Sequence, residues 1–158
     1  MLLEFTAKKL GEVLAFAEVG KETMERGRVA FSEVFGSDKV AELIEDQNAH
    51  AEQIRILAES NNMNEIVLKK LDGTGTKLRS MRDLYVGDEW DNPTELLEWS
   101  GFFEGAAVVH WSLVRGAAQG INSTELMDLA AKGFAFHQDI FTTATEKLAE
   151  VGQTKSQM

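Results

Sequence analysis

The chain has no cysteine, one proline, one tyrosine and three histidines. Without cysteine there is no disulfide framework, no thiolate metal site, no Cys-x-x-Cys module and no cysteine nucleophile. Pro93 is the only proline, and runs of β-branched residues are almost absent. Alanine, leucine, glutamate and lysine dominate instead, which argues for an all-helical chain. Basic residues are also short, 16 against 26 acidic, for a net charge of −10. That balance disfavours nucleic acid, which requires a basic footprint, and anionic membrane surfaces. No apolar run approaches the roughly 18 residues needed to span a bilayer. The stretch Met1-Leu2-Leu3-Glu4-Phe5 lacks a basic n-region followed by an apolar h-region, so a cytoplasmic location is expected. No organic cofactor is indicated. Gly73-Thr74-Gly75 is not followed by Gly-Lys-Ser/Thr, and no serine sits in a nucleophile-elbow context.

What remains is a chain of 158 residues, 44% hydrophobic, enough for one domain with a proper core. Apolar residues recur at steps of three and four, the period of a helical face. A first helix is expected from about Phe5 to Phe35, with Leu10, Val13, Ala17, Gly20, Met24, Gly27, Phe31 and Val34 on one stripe. Glu18 and Glu22 fall at its edge, and Glu12 points away. A second is expected from Asp38, capped by Ser37-Asp38, to Ser60. Its stripe contains two polar residues, Gln47 and His50, which need partners if buried. A long connection follows, with a short helix at Ile66 to Leu71, a turn at Asp72-Gly73-Thr74-Gly75 and another helical turn or two at Leu78 to Tyr85, of the kind that crosses from one end of a bundle to the other.

Asn92-Pro93 marks the clearest helix start, an N-cap followed by proline at the first helical position. The third helix carries Glu104 on one apolar stripe. A second stripe with Trp99, Phe103, His110 and Leu113 predicts a homodimer contact. The fourth, capped by Asn122 and Glu125, runs to about Val151 with Phe134 and His137 on its stripe. The expected organisation is one four-helix domain over 1–151 with a disordered polar tail, 152–158.

Glu18, His50, Glu104 and His137 each lie near the middle of a predicted helix, on or beside its core stripe. Two carboxylates and two imidazoles meeting there would suit a divalent ion such as iron, manganese or zinc. This arrangement resembles the ferritin-like superfamily, the rubrerythrins and bacterioferritins in particular. In that family helices one and three each give a glutamate, and helices two and four each give Glu-x-x-His. Glu18 is similar to the first glutamate, Gln47-Asn48-Ala49-His50 to the first Glu-x-x-His, Glu104 to the third-helix glutamate, and Phe134-Ala135-Phe136-His137 to the second Glu-x-x-His. The resemblance implies a four-helix bundle of ferritin-like topology with the long crossover between helices two and three. It also implies a metal site of Glu18, Gln47, His50, Glu104 and His137.

The departures define the expected function. Gln47 brings no charge where the family has a bridging carboxylate, and Phe134 cannot coordinate at all. Two glutamates offset only two of the four charges of a di-ferrous pair, a deficit of several kcal/mol in a dry core. The expectation is therefore a degenerate di-iron site holding at most one ion, in a non-catalytic or regulatory homodimer. Two alternatives remain. One is an active oxidase or oxygenase that recruits Glu22, Glu45 or Asp46. The other is a DinB-like three-histidine metal site of His50, His110 and His137, with metal-dependent thiol transfer as one activity. Trp111 is expected to be core filler, and Tyr85 is given no role.

Overall fold

The computed structural model describes the backbone of residues 2–158 and the side chains of residues 3–158. Among them are six helices and no strands: α1 (Leu2–Arg26), α2 (Arg28–Phe35), α3 (Ser37–Ser60), α4 (Asn64–Val86), α5 (Pro93–Gly120) and α6 (Thr124–Ser156). The all-α class is as expected. No helix among these residues is long and apolar enough to cross a membrane.

Facing residues give the helix directions. Glu22 of α1 meets Arg79 and Arg82 of α4, and Glu12 meets Lys70, so these two helices run parallel. Glu12 also meets His110, while Gly27 abuts Leu96, so α5 runs antiparallel to α1. Lys21 to Asn48 and Glu18 to Arg55 make α3 antiparallel to α1. Gly105 to Phe141 and Arg115 to Phe134 make α6 antiparallel to α5. α1 is therefore enclosed by α3, α4 and α5. Its middle, Gly11 to Gly20, is buried at every position except Glu18. A helix covered on all sides must be apolar on all sides, and Val13-Leu14-Ala15-Phe16-Ala17 is.

Several expectations change. The first helix breaks at Gly27, where a Cβ would come within 2.7 Å of Leu96 Cδ1 and 3.0 Å of Phe31 Cε2. Glycine there lets α5 approach and lets the chain bend into α2. The connection 61–92 holds a full helix, α4, and Asp72-Gly73-Thr74-Gly75 lies inside it. Val67, Leu71, Gly75, Leu78, Arg82 and Val86 are its buried face, at steps of three and four. Packing on α1 outweighs the low helix propensity of two glycines. At Gly11 the two helices touch so closely that a Cβ would lie 2.6 Å from Val67 O and Lys70 Cβ.

Asn92 caps α5 as expected, accepting from the Thr94 and Glu95 amides at 3.0 and 3.4 Å. The other two caps shift. Gly36 precedes α3 without any side-chain cap, and Ser123, not Asn122, caps α6 by accepting from the Leu126 amide. α6 continues to Ser156, so most of the polar tail is helical. Trp99 and Phe103 are buried within the chain, against Tyr85 and Phe16 respectively, and His110 bonds to Glu12. Of the expected dimer face only Leu113 stays open.

Candidate functional site

Two of the predicted site residues meet. Glu104 on α5 and His137 on α6 are both buried, and Glu104 Oε2 is paired with His137 Nδ1. Each sits where the three-and-four periodicity of its helix turns a side chain inward. Ser100, one turn before Glu104, is also buried but donates to its own helix at Leu96 O.

Gln47 on α3 is fully buried on the facing side. Its amide nitrogen donates to Leu43 O at 3.3 Å and to Met24 Sδ at 3.4 Å, and its Oε1 has no partner. That oxygen lies against Gly20, where a Cβ would collide with it. A cavity of about 10 Å³ adjoins the pair, lined by Gly20, Thr23, Met24, Ser100, Phe103 and Glu104 among others. Its size is the lower limit for one water molecule.

His50 is half-buried in the seam between α3 and α6, where the two helices touch sparsely. The Phe136 ring stands edge-on to both His50 and His137, with centroids 5.1 and 5.0 Å apart. Burial pushes the His50 imidazole below its usual range. The charge of His137 adds to that, as does Lys132, while Asp46 opposes it. His50 is a neighbour of the pair across the Phe136 ring and makes no bond to it.

Glu18 is not part of this group. It turns outward to an ion pair with Arg55 and lines an open groove with Lys21, Glu22, Glu25, Glu52 and Arg79. The arginine, one helix away, offers an opposite charge without the desolvation that an inward turn would require. Phe134 is also displaced from the expected position. It lies half-buried at the α5–α6 boundary under the Arg115 guanidinium, 4.7 Å from its ring centre. The inward position is Gly133, and the Trp111 indole fills the space its missing side chain leaves. Trp111 is thus core filler as expected, with its Nε1 unpaired.

The alternative ligands do not converge either. Glu22 is held by Arg79 at 3.0 Å and Arg82 at 2.7 Å; Glu45 is exposed and Asp46 lines a surface groove. His110 lies on the α1 side of α5, bonded through Nδ1 to Glu12 Oε2 at 2.9 Å, apart from the other two histidines. Among the described residues no group of three or more His, Cys, Asp or Glu side chains is placed to hold a metal ion.

The Glu12–His110 pair was missed by the stripe reading, which pointed Glu12 outward. Glu12 is buried, with Lys9 at 3.1 Å and Lys70 at 3.7 Å around it. Burial alone would raise its carboxyl, but hydrogen bonds from Lys9 and His110, with their charges, hold it below the usual range. The available signal was the apolar run Val13 to Ala17 directly after Glu12, which is wider than one helical stripe.

The class of molecule these features define is an all-α bundle with a buried carboxylate–imidazole pair at its centre. No protein-family model, curated protein or solved structure matches the chain.

Proposed function

We propose that this chain is a ferritin-like bundle whose di-iron centre is degenerate, binding at most one divalent ion and working as a non-catalytic, structural or regulatory homodimer. α1, α3, α5 and α6 would be the four bundle helices, with α4 as the crossover between the second and third. Their directions agree with that order: α3 and α5 run against α1, α6 runs with it, and α4 carries the chain back along the bundle.

The observation that carries the reading is the pairing of Glu104 with His137 while Glu18 is engaged by Arg55. In the family, the glutamate at the position of Glu18 is a ligand; here its charge is spent outside the core. The donors left inside are one carboxylate, one imidazole and the unpartnered carbonyl oxygen of Gln47. Oxygen and nitrogen donors of this kind suit iron, manganese or zinc. They bring a single negative charge, which fits one divalent ion poorly and two not at all. A bound ion would sit beside Glu104 and supply Lewis-acid character there. The chain's own part would be to hold Glu104 and His137 in a dry core, with Trp111 filling the space beyond Gly133.

Metal analysis of protein purified without chelator tests the reading. At most one equivalent of iron, manganese or zinc per chain is expected, with no absorbance change on admitting oxygen to the ferrous-loaded protein. Two irons per chain with an oxygen-dependent absorbance band would restore the active-oxidase alternative.

A further inference from the structure

The outward face of α5 is apolar after the rest of the chain has packed. Phe102, Val109 and Leu113 are 65%, 61% and 41% exposed, and Met81 and Tyr85 of α4 flank them at 57% and 39%. Tyr85 lies edge-on to Phe102, with centroids 5.4 Å apart, so the two helices present one surface. No Asp, Glu, Lys or Arg occurs between Glu104, which is buried, and Arg115, which turns aside onto Phe134. In a chain of net charge −10 this is a strip of low charge, bordered at its Phe102 end by Glu98, which accepts from the Tyr85 hydroxyl at 3.0 Å.

Phe102, Gly105, Val109, Leu113 and Gly116 recur at steps of three and four, the repeat of a helix seam. Their sizes alternate about a centre. Val109 lies midway between Phe102 and Gly116, and midway between Gly105 and Leu113. If two α5 helices cross antiparallel about a two-fold axis at Val109, Phe102 of each copy faces Gly116 of the other. Leu113 likewise comes over Gly105, whose far edge is shared with the Phe141 ring of α6, 3.4 Å from where a Cβ would stand. A Cβ at Gly116 would meet nothing within 4 Å, so its surface is open to receive the ring. An isologous contact needs such self-complementarity. Phe102, Val109, Leu113, Met81 and Tyr85 together expose on the order of 500 Å² of surface per copy, about the apolar share of what one partner gives a standard interface.

We infer that the chain pairs with a second copy of itself through this face, α5 on α5 about a two-fold axis at Val109. This deepens the homodimer part of the function proposed above and is independent of whether the core holds metal. The chain has no cysteine, so Val109→Cys places its only thiol on the axis, facing its own copy. Mild oxidation should convert nearly all of that variant into a disulfide-linked dimer. The same substitution at exposed Leu84, off the seam, should give little cross-linked product. Val109→Glu and Val109→Lys should each be monomeric by light scattering, and an equal mixture of the two should be dimeric again. Because Val109 is exposed, circular dichroism should show all three substitutions folded. If the wild type stays monomeric at 100 µM, the homodimer reading fails and this surface with it. If the wild type is dimeric and Val109→Glu remains so, the dimer exists but this surface is overturned.

Discussion

Glu104 and His137, both buried, satisfy each other in the core. Removing one partner leaves the other buried and unpaired, which costs more than losing the bond itself. Glu104→Leu and His137→Leu should each lower unfolding free energy by about 2–4 kcal/mol in urea melts. The double substitution should cost clearly less than the sum of the two, because the orphaned group is gone. Strict additivity would mean the two side chains do not depend on each other. His50 answers to pH. Its folded pKa lies below the ordinary 6.5, so the fold favours the neutral ring. That contribution is fully present above about pH 6.5 and is lost as pH falls through the folded value. His50→Gln should therefore flatten the decline in melting temperature between pH 7 and 5; an unchanged slope would remove His50 as its source.

At the scale of the elements, glycines decide where helices touch. Gly133 receives the Trp111 indole, a rigid ring packed on all sides. Gly133→Ala should destabilise by about 1–3 kcal/mol, despite the gain in helix propensity, because neither group can yield. Gly73 lies mid-helix in α4 with nothing within 4 Å of an added Cβ. Gly73→Ala should stabilise by about 0.5–1 kcal/mol, both variants being read by thermal melts against the wild type. The opposite pair of signs would contradict both the tight Gly133–Trp111 contact and the open surface at Gly73.

These elements also show what could be read in advance. The burial of Glu104, Gln47 and His137 was legible because each interrupts an apolar stripe of strong period. Asn92-Pro93 announced the start of α5 by local chemistry alone. Glu18 was not legible, because its direction depends on Arg55, 37 positions away. α4 was hidden behind Asp72-Gly73-Thr74-Gly75, since its stability comes from contact with α1 and not from its own propensity. Glu12 was misread because a stripe assumes one buried face, and α1 is packed by α3, α4 and α5, with its open groove on the Glu18 side.

Across the whole molecule, charge is managed by pairing α1 to the helices around it. Glu22 binds Arg79 and Arg82, and Arg82 is itself buried against Thr23 and Asp83. Burial would raise the Glu22 carboxyl, but the hydrogen bonds and charges of the two arginines hold it low, as Lys9 and His110 hold Glu12. Carboxyls depressed in this way add stability above their ordinary value of 4.5 and lose it as pH falls through the folded value. Acid unfolding should therefore come in two stages, a shallow one attributable to His50 below about pH 6.5 and a steep one below pH 4.5. A single transition centred near neutral pH would not fit these pairings.

The function proposed above treats the Glu104–His137 pair as what is left of a metal centre without the anions for a second ion. Titration with cobalt(II), followed by its visible ligand-field bands, tests this most directly. The account predicts saturation at one equivalent or less per chain, with any band abolished by Glu104→Gln. Two equivalents bound in the wild type, or a band that Glu104→Gln leaves intact, would contradict it.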